Sequence, residues 1–162
     1  MPTDALTQIT ELEQLLLDII HQYYRLILIV GPVGSGKTPL LKALCRQRDI
    51  PYLNLNLALS ERMLNLTSKE RPLRARRLLA EILDEQPGQA VALDNIELLF
   101  DPALRLDPLA CLQGLSRNRT LIATWGGTYI GNVLTCAGPG HPEYRHYERP
   151  DAAIFALPSE DR

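Results

Sequence analysis

Gly31-Pro32-Val33-Gly34-Ser35-Gly36-Lys37-Thr38 has the form G-x-x-x-x-G-K-[ST] and decides the fold. It follows directly on an apolar run, Leu26-Ile27-Leu28-Ile29-Val30, and opens a helix-like segment, Leu40-Leu41-Lys42-Ala43-Leu44-Cys45. Each residue type has a physical reason. Glycines at positive φ let the backbone wrap a phosphate chain with its N–H groups turned inward. A lysine at position 37 reaches the β- and γ-phosphates, a threonine at 38 offers a hydroxyl to Mg²⁺, and the helix N-terminus adds partial positive charge. Pro39 falls in the first helical turn, where a missing N–H costs nothing. Gly31 to Pro39 is therefore read as a nucleotide cradle between a strand and a helix.

The bulk properties narrow the class. The chain has 162 residues, enough for one domain with a real core, with 46% hydrophobic and 22% charged residues. A formal charge of −2 provides no global basic field for nucleic acid. Apolar runs stay far below the ~20 residues a membrane span needs, and Met1-Pro2-Thr3-Asp4 shows no signal-peptide features, so a cytoplasmic protein is expected. Cys45, Cys111 and Cys136 are odd in number and widely spaced, unlike a disulfide framework. The spacing of Cys136, His141 and His146 matches no usual zinc pattern.

Taken in order, residues 4–22 read as an amphipathic helix whose apolar face comprises Leu6, Ile9, Leu12, Leu16, Ile19, Ile20 and Tyr23. It packs on a sheet or offers a face to another subunit. Residues 25–30 form a strand buried on both sides. Tyr52-Leu53-Asn54-Leu55-Asn56-Leu57 alternates strictly and predicts a second strand, with Asn54 and Asn56 pointing either to solvent or into the cleft. A short helix and loop are expected over 58–70, then a helix over 72–86 with a basic first half of Lys69, Arg71, Arg74, Arg76 and Arg77. That cluster is read as a solvated face, or as a contact to phosphate, DNA or an acidic partner.

Gln89–Asp94 is an apolar strand ending in a carboxylate, the second signature of P-loop ATPases. Asp94 would hold Mg²⁺ beside the Thr38 hydroxyl. A helix near 108–116 leads to the strand Thr120–Thr124, then Trp125-Gly126-Gly127, an extended stretch over 128–136, and a last strand over 152–157. Strands alternating with helices after a P-loop predict an α/β, doubly wound, mostly parallel sheet with nucleotide at the strand carboxyl ends. The separate strand ending at Thr124 fits the ATPase branch with an inserted strand, in which Thr124 faces the γ-phosphate. No Asn-Lys-x-Asp guanine reader is present. The whole chain, 1–162, is expected to be one P-loop NTPase domain: a helix over 4–22, a core over 25–157 and a tail over 158–162.

Four segments together carry a family resemblance: Gly31–Thr38, Leu-Asp-Asn-Ile-Glu-Leu-Leu-Phe at 93–100, Ala-Thr-Trp-Gly-Gly at 123–127 and Pro-Gly-His-Pro-Glu-Tyr-Arg at 139–145. They resemble BrxF, the small P-loop, AAA-like ATPase of type 3 BREX anti-phage defence systems. The resemblance implies ATP and Mg²⁺ as cofactors, self-assembly, and other phage-defence proteins as partners with DNA nearby. Two departures from the usual AAA pattern matter. The residue after Asp94 is normally a glutamate that polarises the attacking water, and here it is Asn95, leaving Glu97 as the nearest carboxylate. The chain also leaves no room after the core for a helical lid. AAA-like sites form between subunits, so Arg145 or Arg149, just before the last strand, is expected to reach a neighbour's γ-phosphate, with Arg117 and Arg119 as alternates. The expected function is a slow, Mg²⁺-dependent ATPase subunit. A small-molecule or nucleotide kinase and a non-hydrolysing, nucleotide-gated assembly module stand as alternatives.

Overall fold

A computed structural model describes residues 2–136 and 145–158. Helix α1 (Pro2–Ile19) is followed by β1 (Leu26–Gly31), α2 (Lys37–Arg48), β2 (Tyr52–Asn54), α3 (Leu55–Met63), α4 (Glu70–Asp84) and β3 (Ala90–Asp94). After two 3₁₀ turns (Glu97–Phe100 and Pro102–Leu104) come α5 (Pro108–Leu115), β4 (Thr120–Ile130), β5 (Val133–Cys136), β6 (Arg145–Glu148) and β7 (Ala153–Ala156).

The main sheet runs β2-β3-β4-β1-β7 with every adjacent pair parallel. The Thr124 strand thus lies between the P-loop strand and the Asp94 strand, the inserted-strand order expected from sequence. β1 is buried throughout because it sits at the middle of a sheet covered on both faces. Its side chains alternate between two cores. Leu26, Leu28 and Val30 join Leu59, Leu79, Ile82 and Leu112 from α3, α4 and α5, while Ile27 and Ile29 join Leu12, Leu41 and Leu44 from α1 and α2. This is a doubly wound α/β sheet in three layers. Among the described residues no helical lid follows β7, and no helix is long and apolar enough to cross a membrane.

Three local expectations need correction. The predicted strand 52–57 is a strand only to Asn54, and a helix starts at Leu55. Asn54 caps that helix by accepting the Leu57 N–H at 3.1 Å, and Leu55, Leu59 and Met63 then bury one helical face. Period-two spacing in the sequence masked this start. The helix predicted over 72–86 runs Glu70–Asp84, entered through a capping box in which Thr67 and Glu70 exchange hydrogen bonds. In α1, Leu12 and Ile19 are buried, but Leu6, Ile20 and Tyr23 of the expected apolar face stay exposed. The helix stops at Ile19, where the His21 and Gln22 N–H groups turn back onto Asp18 and Ile19 carbonyls.

β4 belongs to two sheets. Leu121–Gly126 pairs with β1, and Gly127–Ile130 pairs antiparallel with β5, which in turn pairs with β6. The extended stretch expected after Gly127 is therefore a hairpin, turning at Gly131–Asn132 with both residues at positive φ. The hairpin closes onto Trp125, which is fully buried. The indole N–H donates to the Thr135 carbonyl at 3.0 Å, and the ring meets Phe100 and Tyr147 edge-to-face at centroid distances of 5.1 and 5.9 Å. Gly127 permits this closure. A Cβ there would lie 1.7 Å from the Thr135 carbonyl oxygen, whereas one at Gly126 would meet nothing within 4 Å.

The neighbouring glycines therefore separate. Gly127→Ala should destabilise the fold by about 2 kcal/mol or more, because backbone must move to admit the methyl, while Gly126→Ala should stay within about 0.5 kcal/mol. Urea unfolding followed by the single tryptophan measures both; equal effects would contradict the packing described.

Candidate functional site

The P-loop leaves β1 at Gly31 and enters α2 at Lys37. Gly34 (φ 82°) and Gly36 (φ 97°) take left-handed backbone, and a Cβ on either would meet nothing within 4 Å. The loop is open over the glycines, the space a phosphate chain needs. Lys37 folds back over it and donates to the Gly31 carbonyl at 2.8 Å and the Pro32 carbonyl at 2.9 Å. Burial lowers its pKa, against opposing pulls from Asp94 and Glu97. An anion set into the loop would replace those carbonyls as the lysine's partner. Ser35 Oγ is buried without a hydrogen-bond partner, and it lies under Gly31. Val33 is almost fully exposed at the tip.

Asp94, at the carboxyl end of β3, is 3% exposed and accepts four hydrogen bonds. Thr38 Oγ1 (2.8 Å) and Tyr52 Oη (2.5 Å) donate to Oδ2. Thr124 Oγ1 (2.7 Å) and the Asn95 backbone N–H (3.0 Å) donate to Oδ1. Burial works to raise the carboxyl pKa, but the donors from Tyr52, Thr124, Thr38 and Asn95 outweigh it and hold it below the ordinary value. The same contact raises the Tyr52 phenol, with burial the larger cause. The structure thus joins Thr124 to the Thr38–Asp94 pair expected from sequence, all three around one carboxylate. Thr124 is buried against Asp94 rather than standing free towards the P-loop.

A hydroxyl and a carboxylate oxygen 2.8 Å apart at the foot of the P-loop are hard donors of the kind Mg²⁺ takes. The donor set fits that ion, with Thr38 and Asp94 as the residues that would hold it.

Asn95 and Glu97 part company. Asn95 adopts φ 54° and lines a depression shared with Asn54, Asn56, Leu57, Ser60 and Leu98. Glu97 instead lines a cavity of about 430 Å³ with Pro32 and Val33 of the P-loop, Phe100, Gly126 and Cys136. It is also near enough to Lys37 to act on its charge. The carboxylate that follows the β3 strand on the P-loop side is Glu97. Asn56 holds it: its Nδ2 donates to Glu97 Oε1 at 2.9 Å, while its Oδ1 accepts the Leu98 N–H at 2.8 Å and its backbone N–H donates to the Asn95 carbonyl at 2.9 Å. Of the two asparagines whose direction was open, Asn54 caps a helix and Asn56 braces the site.

The arginines divide similarly. Arg145, on β6, is tied to its own subunit through Nη2 to the Leu106 carbonyl at 3.3 Å, with Nε buried and without a partner. Arg149 sits at the exposed end of β6, in left-handed backbone, its N–H bonded to the Asn132 carbonyl. Arg117 lies over the Tyr23 ring, and Arg119 donates to the Leu83 carbonyl. Most of the 139–145 segment lies outside the described residues.

Sequence reasoning missed Tyr52 and the bracing role of Asn56. Both depend on β2 lying beside β3, with Asn54 in register with Asp94, and no local pattern announces that pairing.

A search of curated proteins finds no match. Among solved structures, the chain is similar to Caenorhabditis elegans PCH-2, at 24% identity and a TM-score of 0.35, over 80% of this chain and 36% of that one. The chain thus spans about a third of that protein's length. Residues 27–105, from the P-loop strand through the Asp94 strand, match the model of the ATPase family associated with various cellular activities (AAA).

Proposed function

We propose that the chain is an Mg²⁺-dependent, ATP-binding subunit that hydrolyses ATP slowly and completes its site by self-assembly. The Thr38–Asp94 hydrogen bond carries this proposal, since it joins the two halves of a nucleotide–metal site from positions 56 residues apart. The P-loop amides and Lys37 would bind the phosphates. Bound Mg²⁺ would draw charge from the β- and γ-phosphate oxygens. Glu97 would accept a proton from the attacking water, and Asn56 orients it. Slow turnover follows because Glu97 stands three residues beyond Asp94, on a short 3₁₀ turn, and must share its carboxylate with Asn56.

Arg149 is the better candidate to act on a neighbour's γ-phosphate, because its side chain is exposed while Arg145 is held at home. The wider setting, a cytoplasmic component of a bacterial BREX-type defence system acting with other defence proteins near DNA, rests on the resemblance of segments 93–100, 123–127 and 139–145 to BrxF. The basic cluster over 69–77 supplies the local rationale for contact with DNA.

Lys37→Ala should weaken ATP binding about tenfold to a hundredfold, the worth of a charge-assisted contact to phosphate, as read by calorimetry. Glu97→Gln should leave ATP bound while lowering phosphate release about 10²-fold or more. If wild type, Glu97→Gln and Lys37→Ala share one background rate and only Lys37→Ala fails to assemble with ATP·Mg²⁺ in mass photometry, the chain is a nucleotide-gated assembly module instead. Phosphate found on an acceptor other than water would make it a kinase.

Mixing tests the shared site. Arg149→Ala and Lys37→Ala proteins should each be nearly inactive alone, yet recover part of the wild-type rate when combined. In a mixed assembly some intact P-loops then face an intact arginine. No recovery, with assembly intact, would exclude Arg149 as the arginine acting in trans.

A further inference from the structure

The Asp94 carboxylate is full. Its two oxygens offer about four lone-pair positions, and four donors occupy them. A hydrated cation beside Thr38 needs one of those positions, for a direct bond or for a hydrogen bond from a metal-bound water. The donors differ in how readily they can leave. The Asn95 N–H is backbone, and Thr124 is buried in the centre of the sheet. Thr38 is the partner that stays beside the ion. Tyr52 is different: it is only half-buried, and it reaches in from β2, the three-residue edge strand. Its hydroxyl shares Oδ2 with Thr38, the oxygen nearest the expected ion.

Resting on the ATP·Mg²⁺ function above, we propose that Tyr52 is a gate on the metal position. Its hydroxyl fills the lone pair of Asp94 Oδ2 that a Mg²⁺ ion or its water must take, so metal enters only as Tyr52 withdraws. Lys42, one turn beyond Thr38 on α2, holds the gate in place with its ammonium 5.3 Å from the centre of the Tyr52 ring. A cation over the ring also strengthens the phenol as a donor. The gate therefore joins the P-loop helix, the edge strand and the metal-binding carboxylate. It keeps a buried negative charge satisfied when no metal is present, and makes metal binding compete with a hydrogen bond.

The test is the Mg²⁺ dependence of binding, not of turnover. Mant-ADP affinity is measured by fluorescence across free Mg²⁺, with an EDTA baseline, for wild type and Tyr52→Phe. The gate predicts that half-saturating Mg²⁺ falls about tenfold in Tyr52→Phe, the size expected for removing one competing hydrogen bond to a charged group. Affinity in EDTA should change little. An unchanged or higher Mg²⁺ midpoint would overturn the gate and make Tyr52 a support for Asp94. Wild-type protein that binds no mant-ADP with or without Mg²⁺ would overturn the nucleotide function itself, and the gate with it. Should Tyr52→Phe fail to fold by circular dichroism, Lys42→Met keeps the phenol but removes the cation; the gate then requires a smaller shift in the same direction, and its absence rejects it.

Discussion

A buried carboxylate must be satisfied or it will not stay ionised, and the centre of this structure is built around meeting that demand at Asp94. Its four donors come from four elements: the P-loop helix, the edge strand β2, the central strand β4, and the backbone just past β3. The order of the parallel sheet makes this possible, since β3 lies between β2 and β4 and all three deliver polar groups at the same end. Removing any one donor would leave a charge in a dry place with an empty position. The apolar layers set the stability of the domain, and this one acceptor sets the alignment of its top.

Much of the fold could be read directly. β1 is a run of five apolar residues before a glycine-rich loop, and such a run has few options other than a central parallel strand. Asp94 was legible as the polar end of an apolar strand, and Thr124 as the polar residue closing an apolar run, although its strand continues to Ile130. Tyr52–Leu57 was not. Its alternation satisfies a strand pattern, yet Leu55, Leu59 and Met63 also satisfy a helical one, and the tie is broken by Asn54 capping the helix from outside the pattern. A three-residue edge strand holds too little sequence to reveal where it stops.

The site was legible in its parts but not in its wiring. Asn95 follows Asp94 in sequence, where a catalytic glutamate would stand. However, left-handed backbone at that position brings Glu97, not Asn95, to the P-loop side. Likewise, Asn56 reads as one of two equivalent polar residues until α3 replaces the expected strand and sets it against Glu97. Both outcomes come from chain direction over two or three residues, a scale below that of hydrophobic periodicity. The three-way junction of Trp125, Phe100 and Tyr147 was hidden for a different reason, because it joins residues from three distant segments.

Thr124 and Trp125 are consecutive on β4, so they point to opposite faces of the sheet. One touches the Asp94 carboxylate beside the P-loop, and the other packs under the β4–β5 hairpin. A peptide strand is stiff along its length, which makes this pair a lever with a very short arm. Both side chains are buried in close packing, so a shift of the β4 backbone at Thr124 would disturb the packing of the indole beside it. Because Trp125 is the only tryptophan, its emission is placed to follow changes beside Asp94 without any label.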